Sequence, residues 1–207
     1  MMISELEAVA LRLFQERGFD DVTIEEIATA AQISVRTFYR YFPAKEDVLQ
    51  VRIERRTAAL RSALSGRPPD EAPLHSLRLA LRDVMSAEDT ALLECWIQVV
   101  QDTPSVLKGV VGGIQLKRQR MITEFFASRL GLPIEDLIPT MLAAAAEGVM
   151  QAAQTQWFFR GGDEDLATAM SEALAVLERA MASDPSFARR TPRRRRTPTG
   201  PRRHSSG

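Results

Sequence analysis

The chain has 207 residues, 45% of them apolar, and a formal net charge of zero, which is enough apolar mass for a real core and excludes a disordered polymer. One cysteine, Cys95, excludes an internal disulfide, no apolar run nears the roughly 18 residues of a membrane span, and acids occupy MMISELEAVALRLF where a secretory signal would be positive, so a cytoplasmic location without membrane contact is expected. The zero balance hides a split: residues 189–203 hold eight arginines, and the remainder is 19 basic against 27 acidic side chains, so any nucleic-acid surface on the body must be a local patch.

Spacings of three and four recur from end to end and alternation is absent, which predicts an all-α fold. Ser4 with Glu7 reads as a capping box for a first helix over 5–16, closed by Gly18 and Phe19. Thr23 with Glu26 repeats the box and opens a short helix over 24–31. Ser34 caps another over 35–41, which Pro43 ends, and a longer helix runs over 45–64. SGRPPDEAP at 65–73 marks a boundary or hinge. Helices are then predicted at 74–86, 89–102, 104–130, 134–159 and 164–182, with Gly109, Gly112 and Gly113 interrupting the third of these. From Pro185 the sequence has no apolar periodicity and is expected to be disordered.

The stretch ISVRTFYRYFPAKEDVL carries the chemistry. It sets Phe38, Tyr39, Tyr41 and Phe42 around Arg36 and Arg40 and uses both tyrosines of the chain. Two short helices joined by Gln32-Ile33-Ser34 make a helix-turn-helix candidate, whose second helix enters a major groove while arginines, hydroxyls and amides grip phosphate. Ile27, Ala28, Ile33 and Phe38 form its expected buried face. Residues 35–61 hold seven basic and three acidic side chains, a local positive excess next to the acidic residues 1–34.

LRLFQERGFDDVTIEEIATAAQISVRTFYRYFPAKEDVL resembles the DNA-binding domain of the TetR family of bacterial transcriptional regulators over roughly residues 8–55, departing at Arg36, where many members carry glycine. The resemblance implies that Thr23 and Ser34 cap helices and bind phosphate, that Val35, Arg36, Thr37 and Tyr39 face bases and adjacent backbone, and that Arg40, Tyr41 and Lys45 clamp phosphate. It implies a DNA-binding domain over 1–50 and a helical effector-binding and dimerisation domain over 51–184, with the arginine-rich tail over 185–207. The partners expected are a palindromic double-stranded operator, a second copy of the chain, and a small apolar or amphipathic effector.

Candidate effector contacts are Leu92, Trp96, Val100, Met121, Phe125, Met141, Gln151 and Trp157, side chains that serve equally as core. Gln98, Gln101, Gln115, Gln119 and Gln154 are further polar candidates. The last two helices, with the small run Ala143 to Ala146 and Gly148, are the expected dimer bundle. Cys95, flanked by Leu92, Trp96 and Val99, reads as a core thiol, and His75 and His204 have no ligand cluster, so no metal or other cofactor is expected. The rival reading is an enzyme or small-molecule carrier with an incidental N-terminal motif. Against it, the sequence has no nucleophile with a paired histidine and no glycine-rich phosphate loop.

Overall fold

The computed structural model describes residues 3–87, 89–103, 112–160 and 165–183, with backbone alone at 112–114. These residues form nine helices and no strand: α1 (Ile3–Arg17), α2 (Ile24–Ala30), α3 (Val35–Tyr41), α4 (Asp47–Ser65), α5 (Pro73–Ser86), α6 (Thr90–Asp102), α7 (Gly112–Leu130), α8 (Leu137–Phe159) and α9 (Leu166–Ala182). The expected break at Gly109 and the expected tail lie outside the described residues.

Local signals set most ends. Gly18 adopts φ 89°, a left-handed conformation that glycine tolerates, its N–H bonds the Phe14 carbonyl at 2.8 Å, and Phe19 packs on Phe14 with ring centroids 4.9 Å apart. At α2 the capping box forms in full: Glu26 N–H donates to Thr23 Oγ1 at 3.2 Å, and Thr23 N–H donates to Glu26 Oε2 at 2.8 Å. The turn into α3 places Gln32 at φ 56°, a left-handed conformation that costs a side chain with a Cβ about 1–2 kcal/mol. Asp89, Asp136 and Asp165 cap α6, α8 and α9.

The first capping box is not made. Ser4 lies inside α1, and Glu7, one turn further, is fully buried. Its carboxylate accepts from Arg52 Nε at 2.8 Å and from Arg55 Nη2 at 3.0 Å, and Arg52 itself is 2% exposed. Glu7 therefore joins α1 to α4, where an N-terminal cap was expected. An acid three residues after a serine fits either role, and only its partner, 45 residues away, decides.

A single core runs from Leu6 to Leu174. Helix α1 packs on α6, where the Cys95 thiol donates to the Leu11 carbonyl at 3.3 Å; burial raises that thiol's pKa, as an inert core cysteine requires. Helix α4 packs on α5 and α7, α5 on α9, and α8 on both α7 and α9. The proline-rich connection after α4 is pinned. Arg129 donates to the carbonyls of Arg67 and Pro68, and Arg67 pairs with Glu71, which also accepts from Ser76 Oγ at 2.6 Å. The Arg67 hydrogen bond, with Ser76, holds the Glu71 carboxyl at about 2.

Removing one member of a buried ion pair strands the other. Glu7→Leu is expected to destabilise the chain by about 3–5 kcal/mol in urea unfolding, and Glu7→Leu with Arg52→Leu to recover most of that loss. Equal losses in the single and double variants would mean that the ion pair is not the junction's main tie.

Candidate nucleic-acid interface and interior cavity

Helix α3 is held by its inward face. Phe38 is fully buried and meets the ring of Phe42 with centroids 5.6 Å apart; Ile27 and Ala28 are buried beneath them, and Ile33 packs at the edge. Ser34 caps the helix by accepting from Thr37 N–H at 3.1 Å, and its hydroxyl lies 2.8 Å from that of Thr37, so the two hydroxyls are placed together. Arg36, Tyr39 and Arg40 point outward, Tyr39 with half its surface exposed, and Val35 is half-buried beside them. Arg40 donates to the Tyr41 hydroxyl at 3.2 Å and lies 4.9 Å from that ring's centroid, which restricts a flexible cation. Thr23 is exposed, its hydroxyl held in the α2 cap. The helix thus presents short and aromatic polar groups between two arginines on a braced scaffold, a surface suited to base edges flanked by phosphates.

Lys45, expected to clamp phosphate, makes its contacts inside the fold. Its ammonium turns inward, donating to the carbonyls of Phe19 at 2.6 Å and Val22 at 2.8 Å, and sits 4.4 Å from the Phe19 centroid. Those carbonyls end the α1–α2 turn, where no helical N–H reaches them, and a cation at this point satisfies several at once. The positive stretch read from the sequence shrinks accordingly. Arg52 is buried and Arg56 lines a cavity, while Arg36, Arg40 and Arg61 are exposed, as is Arg55 although one of its nitrogens is tied to Glu7.

The cavity, of about 170 Å³, lies among α4 to α9. Of the expected contacts, Trp96, Val100 and Gln151 line it, as do Gln101, Gln115 and Gln154. Leu92, Met121, Phe125, Met141 and Trp157 do not. Met121 and Trp157 are core, Leu92 and Phe125 pack at the core's edge, and Met141 is 42% exposed on the opposite face of α8. Periodicity gives each helix an apolar stripe but not which part of it meets a void. Sequence reasoning missed Arg56, Thr57 and Arg118. An arginine on a helix reads as solvated until a buried partner is seen, and the partner of Arg118 is Glu147, only 3% exposed, which accepts from Arg118 Nε at 2.7 Å and also from Nη2. Trp96 reaches beyond the cavity, its indole N–H donating to the Leu49 carbonyl in α4 at 3.0 Å.

The outer face of α8 is apolar and uncovered. Leu137 is 75% exposed and Phe159 82%, and Met141, Ala144, Gly148 and Ala152 lie exposed between them at helical spacing. The small run divides: Ala143 and Ala146 face the core, whereas Ala144 and Gly148 face outward.

Comparison with known proteins agrees with this geometry. The family model of bacterial regulatory proteins of the tetR family matches residues 7–51, and that of the MftR C-terminal domain matches residues 53–182. The HTH-type transcriptional regulator TcmR of Streptomyces glaucescens is 31% identical over 176 residues, covering 81% of this chain and 75% of TcmR. Among solved structures, the fatty acid degradation regulator FadR of Bacillus halodurans superposes with a TM-score of 0.63 at 17% identity, over 84% of this chain and 93% of its own. SmeT, the repressor of the SmeDEF multidrug efflux pump of Stenotrophomonas maltophilia, gives 0.61 at 20%, over 87% and 90%.

The inward ammonium makes a measurable distinction. Lys45→Met keeps the length of the side chain against Phe19 but loses its hydrogen bonds, and is expected to lower unfolding stability by about 1–3 kcal/mol. The slope of log K against log salt for duplex DNA is expected to stay within about 0.9, the value of one phosphate contact, of the wild-type slope. A stable variant whose slope falls by a full contact would return Lys45 to the interface.

Proposed function

The chain belongs to the TetR family and is a DNA-binding transcriptional regulator, and from that premise we propose that it is a repressor that binds a palindromic operator as a homodimer and is released by a small effector. Residues 1–50 serve as the DNA-binding domain and residues 51–184 as the effector-binding and dimerisation domain. The observation that carries the reading is α3, pinned by Phe38 with Arg36, Tyr39 and Arg40 projecting from its open face. Val35, Arg36, Thr37 and Tyr39 read bases and adjacent backbone. Thr23, Ser34, Arg40 and Tyr41 hold phosphate. Lys45 positions the turn before α2. The relatives are regulators, which weighs against the enzyme alternative.

The two heads of a dimer read half-sites about 34–36 Å apart, or a multiple of that. The uncovered stripe on α8 is the proposed seam, joined by α9, where Val176 is 57% exposed. Small residues at Ala144, Gly148 and Ala152 let a partner helix approach closely. The effector occupies the cavity. Because Ile53, Arg56, Thr57 and Leu60 of α4 line it, and α4 carries the ties to α1 through Arg52 and Arg55, an occupant that prefers one setting of α4 biases the spacing of the heads.

Two measurements test this. In operator binding by fluorescence anisotropy, Tyr39→Ala is expected to weaken every sequence alike. Thr37→Ala or a change at Val35 is expected to alter base preference, each lost contact being worth about 1–3 kcal/mol. Helix content should not change, and wild-type affinity and preference in these variants would remove α3 from the interface.

Gly148 tests the seam. A Cβ built there meets nothing within 4 Å, so the protomer accommodates a side chain and loses only a helix-weakening glycine. Gly148→Arg is expected to leave helix content intact while yielding monomers by light scattering, with weak half-site binding. A variant still dimeric at low micromolar concentration places the seam elsewhere.

A further inference from the structure

The chemistry of the cavity wall selects among effectors. One part is apolar, including Trp96, Val100, Met150 and Met170. The remainder is polar and unusual in its charge: Arg56 and Arg118 line the cavity, and no carboxylate does among the described residues. This occurs in a body that is acidic overall, with ten basic against seventeen acidic side chains over residues 65–184. Arg118 is paired with Glu147, which stands behind the wall, and guanidiniums in a partly dehydrated space act at a lower effective dielectric than surface charges and are poorly screened by salt.

Arg118 is also held in place. Glu147 grips it from the side of α8 through Nε and Nη2, which leaves other guanidinium N–H groups of the five for a further acceptor. The hydroxyl of Thr57 is buried at the wall with no hydrogen-bond partner. Amides of glutamine both donate and accept, so the four that line the cavity accommodate an occupant of any polarity, and the charge of the arginines decides. The volume, about 170 Å³, is close to the roughly 150 Å³ that holds a benzene ring in an engineered cavity.

Resting on the effector-cavity reading above, we infer that the occupant is a compact organic anion: an oxyanion head attracted by Arg56 and Arg118, on an apolar body of about one ring packed near Trp96 and Met150. A cation of the same shape meets guanidiniums and no carboxylate at that wall among the described residues.

Calorimetric titration of the full chain with benzoate, benzamide and benzylammonium, and with 2-naphthoate and 2-naphthamide as larger pairs, tests the inference. Each acid is expected to bind about tenfold or more tighter than its amide, and the ammonium not to bind. Arg56→Gln is expected to remove about tenfold from the acid and little from the amide. Arg118→Gln alone would strand buried Glu147, so it is made together with Glu147→Gln. That pair is expected to bring each acid close to its amide. An amide that binds as tightly as its acid, or an acid preference that survives both sets of changes, overturns the anion. If the amides or the ammonium bind well and lose binding in Val100→Trp, which fills the cavity, the effector-cavity reading stands and the anion alone falls. If nothing binds up to the solubility limit, both fall.

Discussion

A single buried carboxylate governs how the two halves of this molecule meet. Glu7 has no contact with solvent, and each of its oxygens is taken by a guanidinium of α4. A charge in such a place is tolerated only while its partners are correctly placed. Apolar contacts between α1 and α4 would accept small slips, whereas a two-point ionic junction does not. The Leu11 carbonyl, which receives the Cys95 thiol, and the Leu49 carbonyl, which receives the Trp96 indole, extend the same fastening to α6. The orientation of α3 is inherited from this arrangement, because α3 packs on α2, and α2 on α1 next to the turn that Lys45 closes.

Helix α4 stands at the centre for a geometric reason. Within one and a half turns it offers Arg52 and Arg55 to Glu7 and Ile53 and Arg56 to the cavity. Residues on different faces of a straight helix move as one body, so no chain of intermediate contacts is needed to relate the cavity to the Glu7 junction. The pinned connection after α4, with Arg129 on the Arg67 carbonyl and Arg67 on Glu71, fixes the far end of the same helix.

What the sequence disclosed follows how far apart the interacting residues are. The α2 capping box, the Ser34 cap and the Gly18 stop involve residues no more than four apart, and each was legible. Glu7 and Arg52 are 45 positions apart and Lys45 and Phe19 are 26, and in both cases a charged side chain assigned from its neighbours to a cap or to phosphate makes contacts inside the fold. The cavity was least legible because six helices contribute to it, and whether Met150 or Met141 faces it depends on the rotational setting of α8. Three of eight expected contacts reached the wall, and the charges that give it character, Arg56 and Arg118, carry no local mark.

The tryptophan at the cavity has an optical consequence. The chain has two indoles, and Trp157 is a core residue away from the cavity wall. Trp96 places its ring against the cavity while its N–H is engaged by the backbone of α4. An excited indole responds in colour and lifetime both to what touches its face and to the acceptor on its nitrogen. Its emission therefore responds at once to filling of the cavity and to movement of α4, so the chain holds a built-in chromophore at the point where the two events meet.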